Sequence, residues 1–419
     1  MREDIKKRIE AVRQGEVPAG YCKVHPYVIP NHWEVVKLGV VTKRTSRPNK
    51  DGQDRPAYSI NNRKGFVPQS EQFEEGSCED LDKSAYKIVR KGEFAYNPAR
   101  VNVGSIGRLR DAEEVAVSSL YVCVSVDDKV DGEYFDAWTK SRDFYKETVR
   151  NTEGSVREYL FYENFANMRM PIPTFAEQQK IADILATCDR VIELKQQLLE
   201  EKRRQKQWLM QKLLSESSAV NEIPLSNLCS TICDGDWIES KDQSESGIRL
   251  IQTGNVGVGR YLDKEGRARY ISEDTFKKLN CTEVFAGDIL LSRLPDPIGR
   301  ACMVPNLSTR AITAVDCTIL RFKDADVAEF FLQYATSNEY FNKISILAGG
   351  STRTRISRKE IEKLLIPVPT SKTDMQKISK GLSLADQEIS SLEQELEAWQ
   401  QKKKALMQLL LTGLVRVNA

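Results

Sequence analysis

The sequence predicts an α+β protein in which two mixed α/β domains alternate with two long coiled-coil helices, related by a pseudo-twofold internal repeat. Three observations carry this. Two distant segments say nearly the same thing, two hydrophobic stripes hold 4/3 spacing for over four heptads, and a different texture precedes each stripe. The repeat is clearest at Pro171-Ile172-Pro173-Thr174 and Pro367-Val368-Pro369-Thr370. After one inserted residue the two copies run in register: Gln179-Lys180-Ile181 meets Gln376-Lys377-Ile378, Asp189 meets Asp386, and Leu199-Glu200 meets Leu396-Glu397. A period this long is a duplicated domain plus helix, not a solenoid repeat.

Residues 1–30 form an N-terminal helix and lead-in, with Ile5, Ile9 and Val12 at 4/3 spacing, suited to join a helix bundle near one end. Residues 31–172 form the first domain and 216–367 the second. Both are short β-branched and aromatic runs broken by Gly, Pro and Asn, the pattern of small irregular sheets. Expected strands lie at 34–41, 58–60, 116–126, 249–252, 288–292 and 314–322, with helices late in each domain at 134–149 and 327–346. The repeat continues here more faintly: Gly104-Ser105-Ile106-Gly107-Arg108 resembles Asp296-Pro297-Ile298-Gly299-Arg300, and Gly154-Ser155-Val156-Arg157 resembles Gly350-Ser351-Thr352-Arg353. Glycines and strand cores repeat, whereas the polar loop content between them differs.

Residues 173–215 and 368–419 carry the long helices, whose starts are set by prolines that cannot sit inside a helix. The first stripe includes Ile181, Leu185, Ile192, Leu199, Leu209 and Leu213, with Lys195, Lys202 and Lys206 interrupting it. The second includes Ile378, Leu382, Ile389, Leu396, Trp399, Leu406 and Leu410, with Lys403 among them. Three lysines in one stripe disfavour parallel self-pairing of that helix, so the expected partner is the other helix of the same chain, antiparallel. Gly413 can end the second helix.

Composition bounds the function. Of 419 residues 40% are hydrophobic and 29% charged, the balance of an ordinary soluble chain. Nothing approaches a membrane span or a secretory signal, and nine cysteines without paired spacing point to the reducing cytoplasm. Catalytic motifs are missing. Asn97-Pro98-Ala99-Arg100 begins like an amino-methyltransferase motif but lacks its second proline and aromatic. Gly254-Asn255-Val256-Gly257-Val258-Gly259 has the wrong spacing for a dinucleotide site, and there is no phosphate loop. Glu193-Leu194-Lys195 lies in the heptad helix, where a solvated charge pair is its reading, and His25 and His32 cannot supply a mechanism repeated in both halves. A net charge of +2 gives weak support for nucleic-acid binding, but local basic clusters stand out. Lys43, Arg44, Arg47 and Lys50 form one. Arg100, Asn102, Ser105, Arg108 and Arg110 surround the Gly-Ser-Ile-Gly turn; Arg293 and Arg300 take the matching place in the second half, with Arg353, Arg355, Arg358 and Lys359 downstream. Such groups can read bases or hold phosphates.

A domain ending in Pro-x-Pro, a helix opening with Glu-Gln-Gln-Lys-Ile-Ala (Glu177 to Ala182) and closing with Leu-Met-Gln-Lys-Leu-Leu (Leu209 to Leu214), and then a second copy, resembles the specificity subunit of a type I restriction-modification system. The second copy departs from it at Asp374-Met375-Gln376-Lys377-Ile378-Ser379. The resemblance implies two target-recognition domains, each reading half of a split, asymmetric site in double-stranded DNA. It implies helices that set the spacer and dock two modification (methyltransferase) subunits, with restriction (translocase and nuclease) subunits joining that core. S-adenosylmethionine, ATP and Mg2+ are then expected in the partners and none in this chain, which holds no metal and no catalytic residue. By the same reading Lys43, Arg44, Arg47, Arg100, Asn102, Ser105, Arg108, Arg293, Arg300, Arg353 and Arg355 contact DNA, and the stripe residues form the helix seam and subunit-docking surface. The alternatives are a coiled-coil adaptor for protein partners, and an enzyme using carboxylates such as Asp236, Asp263, Asp288 or Asp296.

Overall fold

The computed structural model describes residues 3–50, 53–72, 83–153, 158–217, 219–349 and 354–418. The chain divides into two compact units. One is built from residues 1–194 with 396–419, the other from residues 195–395. Each therefore contains one α/β domain and one stretch of both long helices, Phe175–Ser215 and Lys372–Leu411.

In the first unit a four-stranded sheet has the order Ile106–Arg108, Phe94–Tyr96, Val122–Val126, Thr42–Thr45, all antiparallel. A second sheet runs Arg47–Pro48, Lys87–Arg90, Glu114–Val117, Ala57–Asn61, Gly65–Pro68, with a parallel pair between Glu114–Val117 and Ala57–Asn61. The expected strand at 116–126 is thus two strands of different sheets. The turn between them, where Tyr121 N donates to Ser118 O, contains no Gly or Pro to announce it. The expected helix at 134–149 is likewise two, Gly132–Thr139 and Arg142–Asn151. Ser141 breaks it by capping the second helix, accepting from Phe144 N. The strand foreseen at 34–41 stops at Lys37 and turns into the short helix Leu38–Val41, whose Leu38 N donates to Met168 O.

The second unit repeats this plan. Its sheets run Ala301–Met303, Ile289–Ser292, Cys317–Phe322, Cys229–Asp234, and Glu283–Val284, Ala311–Thr313, Ile248–Ile251, Arg269–Ile271. Apart from the edge strand Arg47–Pro48, which has no counterpart here, this is the order of the first unit, again with one parallel pair, Ile248–Ile251 with Ala311–Thr313. The paired helices recur as Ala325–Tyr334 and Asn338–Leu347, the latter capped by Ser337. Even the small helix returns, as Leu225–Leu228 with Leu225 N donating to Leu364 O. The duplication read in the sequence is a duplication of topology.

Each domain packs its aromatic core directly onto the long helices. In the first unit Phe94, Tyr96, Tyr134, Phe135, Trp138 and Phe165 share one cluster with Ile181, Leu185, Leu410 and Leu411. In the second, Phe330, Phe331, Tyr334 and Tyr340 join Met210, Met375, Ile378 and Leu382. Fully burying one such side chain stabilises by about 1.5–3 kcal/mol, so the helices gain most of their hold from the domains. Within each unit the two helices run antiparallel. Asp189 pairs with Lys403 in the first; Lys195 with Glu395, Lys202 with Glu388 and Lys206 with Asp386 in the second. The N-terminal helix Glu3–Arg13 buries no residue fully. It is tied on by Arg8, which donates to Tyr21 Oη at 3.0 Å, while that hydroxyl donates to Gly413 O at 2.6 Å.

Candidate nucleic-acid interface

The predicted DNA-contact residues fall into several groups. Lys43, Arg44 and Arg100 are exposed and Asn102 is half-exposed; Arg44 lies 3.5 Å from Glu163. Arg355 is also at the surface, 2.7 Å from Asp316. A second group is held by bonds within the domains, with Arg47 and Arg108 half-buried and Ser105 buried. Arg47 Nη1 bonds both Glu93 oxygens at 2.8 and 2.9 Å, and Ser105 Oγ donates to Ile60 O at 2.8 Å. Arg108 is held by Glu133 at 2.5 Å and by Gly92 O. Arg353, the last of the predicted set, lies outside the described residues.

Arg293 and Arg300 require a correction. They were expected to face DNA, but they are 6% and 9% exposed. Arg293 Nη2 donates to Val315 O at 2.6 Å and Nη1 lies 3.2 Å from Asp234. Arg300 donates to four backbone carbonyls: Val256, Thr253, Leu294 and Pro297, at 2.7 to 3.1 Å. Burial pulls both guanidinium pKa values down, and neither side chain can reach a base edge without leaving its partners. They are framework, as is Ser105, whereas Arg47 is half-buried and paired with Glu93.

The two basic clusters of the first half lie apart. Thr42–Thr45 and Ile106–Arg108 are opposite edges of one sheet, so Lys43 and Arg44 do not share a surface cleft with Asn102 and Arg108. The cleft beside Asn102, of about 340 Å³, is lined instead by Asn62, Arg63, Lys64, Arg108, Arg110 and Lys140. Arg110 and Lys140 converge on the buried carboxylate of Asp136, at 2.8 and 2.6 Å. Burial alone would raise the Asp136 pKa, but these two cations outweigh it and hold the group ionised below its ordinary range. In the second unit a cleft of about 830 Å³ lies beside the corresponding loop, residues 253–264, with Pro297, Arg300 and Thr336, but both long helices also line it, through residues such as Lys206 and Asp386, as they do not in the first. Asn62, Arg63 and Lys64 were missed by sequence reasoning. The signal was present, since Asn61-Asn62-Arg63-Lys64-Gly65 is turn chemistry between two strands.

The seam residues are all buried or half-buried. Ile181, Leu185, Leu199, Ile378, Leu382 and Leu410 are at most 6% exposed, so this face of each helix is already covered. The apolar side chains that the central helix leaves at the surface of the second unit are others, Leu198 and Trp208, at 43% and 58% exposure. Among the described residues no cluster of His, Cys, Asp and Glu could hold a metal ion, and no helix is long and apolar enough to cross a membrane.

Two α/β domains of one topology, each packed on a stretch of an antiparallel helix pair and each with a polar cleft at the same turn, define a protein with two equivalent recognition modules. The family model for the type I restriction modification DNA specificity domain matches residues 30–202 and again 225–398, and the chain belongs to that family, whose members are the non-catalytic specificity subunits of type I restriction-modification systems. The type I restriction enzyme MjaVIII specificity subunit of Methanocaldococcus jannaschii is 24% identical over 424 aligned positions, covering 95% of this chain and 96% of that one. A solved structure from work on assembly and conformational transition of the type I R-M system has a TM-score of 0.60 at 17% identity, covering 93% of this chain and all of that one. The type I restriction-modification S subunit from M. genitalium gives a TM-score of 0.52 at 14% identity, covering 93% and 97%. These likenesses extend over both halves of the chain.

Proposed function

We propose that the two domains read the two halves of a bipartite, asymmetric sequence in double-stranded DNA, and that the long helices set the length of the unread spacer and dock two modification subunits. The observation that carries this reading is a framework whose strand order repeats, apart from one edge strand, with loops that differ, which suits two readers of two different targets. S-adenosylmethionine and adenine methylation belong to the modification subunits, and ATP and Mg2+ to restriction subunits joining the same core, in the cytoplasm. Because the seam faces are covered, the docking surface falls to exposed positions such as Leu198 and Trp208. Lys43, Arg44, Arg100, Asn102 and Arg355 are retained as DNA contacts, with the basic groups holding phosphates.

Single-molecule methylome sequencing tests the reading, comparing a strain that carries this chain and its modification subunit with one lacking this chain. A bipartite adenine-methylation motif that disappears with the deletion is the expected result. Unchanged methylation beside an active modification subunit would overturn it.

A further inference from the structure

The duplication itself singles out a reading element. In each half, the sheet with the parallel pair connects two neighbouring strands through one loop. In the first, Asn62, Arg63 and Lys64 join Ala57–Asn61 to Gly65–Pro68. In the second, residues 252–268 join Ile248–Ile251 to Arg269–Ile271. Strand order is the same on both sides of this connection, yet a tight turn in one half has become a long loop in the other.

Both connections are seated on the same turn, by different chemistry. In the first half the seat is Gly104-Ser105-Ile106-Gly107. A Cβ on Gly104, which sits at φ +95°, would lie 3.1 Å from Asn62 O, and one on Gly107 would lie 3.0 Å from Gly65 Cα. Ser105 completes the seat through its bond to Ile60 O. In the second half Arg300, which the strand register matches to Ser105 and not to Arg108 as the sequence repeat has it, grips the loop carbonyls of Thr253 and Val256. Asn255 Nδ2 donating to Leu262 O, and Arg249 beside Asp263, brace the same loop. Fixed loops hold out exposed cations: Arg63 and Lys64 in the first half, Lys264 and Arg267 in the second. Among the described residues no acid lies within ion-pair distance of these four.

We infer that this connection is the base-reading element of each half, with Arg63 and Arg267 addressing guanine edges in the major groove and Ser105 and Arg300 as positioning residues. The inference rests on the half-site reading proposed above. A rigid seat lowers the ordering cost of binding, and a planar guanidinium fork matches guanine O6 and N7 in a fixed paired geometry that the flexible, strongly hydrated ammonium of a lysine does not pre-organise.

The test uses the full chain with its modification subunit and reads the methylation motif. Arg63→Lys keeps the charge and removes the fork. It is expected to lower discrimination at one base pair of one half-site by about 5- to 150-fold, leaving the other half-site intact as an internal control. Arg267→Lys is expected to act on the opposite half-site alone, and Arg300→Lys on the same half-site as Arg267→Lys. Both half-sites retained in Arg63→Lys, Arg63→Ala and Arg267→Lys would overturn the inference. So would a uniform loss of methylation with the motif unchanged, the mark of phosphate contacts. If the unaltered chain yields no bipartite motif, the half-site reading itself fails.

Discussion

Lys206 Nζ lies 2.7 Å from Asp386 Oδ1, and the residues one repeat away, Lys403 and Asp189, form the same ion pair in the other unit. The lysines that interrupt the apolar stripes are thus answered by acids on the antiparallel partner helix. Lys195 and Lys202 meet Glu395 and Glu388 in the same way, although the repeat has Leu392 and Trp399 at their counterparts. An apolar stripe alone would tolerate a slip by one heptad. Charges placed at a few seam positions oppose it, because a slipped register leaves a lysine facing no carboxylate.

The two related pairs differ in burial, which gives them different weights. Lys206 is 7% exposed and also contacts Thr336 Oγ1, whereas Lys403 is 24% exposed. Asp386→Ala should therefore destabilise by roughly 2–3 kcal/mol, between the ~0–1 of exposed pairs and the ~3–5 of fully buried ones. Asp189→Ala should cost about 1 kcal/mol or less. Urea unfolding of both variants checks this, and equal losses would refute the assignment.

Arg300 provides a second prediction. Arg300→Ala leaves the carbonyls of Thr253, Val256, Leu294 and Pro297 without this donor, at a site that is almost closed to water. A charged donor to one buried acceptor is worth about 1.5–3 kcal/mol, so a loss of roughly 3 kcal/mol is expected. Amide hydrogen exchange should accelerate in residues 252–268, with residues 57–68 unaffected. Unchanged protection of the long loop would show that it does not depend on Arg300.

Arg300 also marks where the sequence stops being legible. Duplication, helix phase and antiparallel pairing could all be read, because each is a periodicity written along the chain. Whether an arginine faces solvent or grips four carbonyls is decided by residues 3 to 47 positions away, and no local pattern records it. The merged strand at 116–126 has the same origin. Chain direction changes sheet at residues 118–121 through Ser118-Ser119-Leu120-Tyr121, which reads as continuous strand. The hairpin at Asn62 was different, since its turn residues were legible and were outweighed by the more conspicuous clusters of arginine.

Stability of the first unit should depend on acid in a defined direction. Glu177 lies in the first turn of the central helix with its side chain only 6% exposed; its carboxylate is 3.0 Å from His32 Nε2 and accepts from Trp33 Nε1 at 3.2 Å. Thr174 N and Arg416 also reach it, so this one group ties the chain's C-terminal tail to the base of the first domain. Burial by itself would raise its pKa, but the bonds from His32 and Thr174 outweigh burial and leave it below the ordinary value. A carboxylate depressed in the folded state contributes stability that is fully present above its unfolded pKa, about 4.3, and is lost as pH falls through the lower folded value. Glu177→Gln should lose roughly 2 kcal/mol at pH 7 and converge on the unaltered chain in the acid range. Parallel stability curves from pH 7 to pH 2 would contradict this.

The helices offer the last prediction, on spacer length. Seven residues added to each helix lengthen each by about 10.5 Å and change the phase of the stripes by only ~20°, so both seams can re-form. At ~3.4 Å per base pair the unread spacer should then grow by at most ~3 base pairs, with both half-sites unchanged in the methylation motif. Five residues in each helix make the control. They rotate the downstream stripe by roughly 140°, turning Ile378 and Leu382 or their counterparts Ile181 and Leu185 away from the cores they fill, and methylation should be lost. A seven-residue variant that folds, methylates and keeps its original spacer would show that something other than helix length measures the gap.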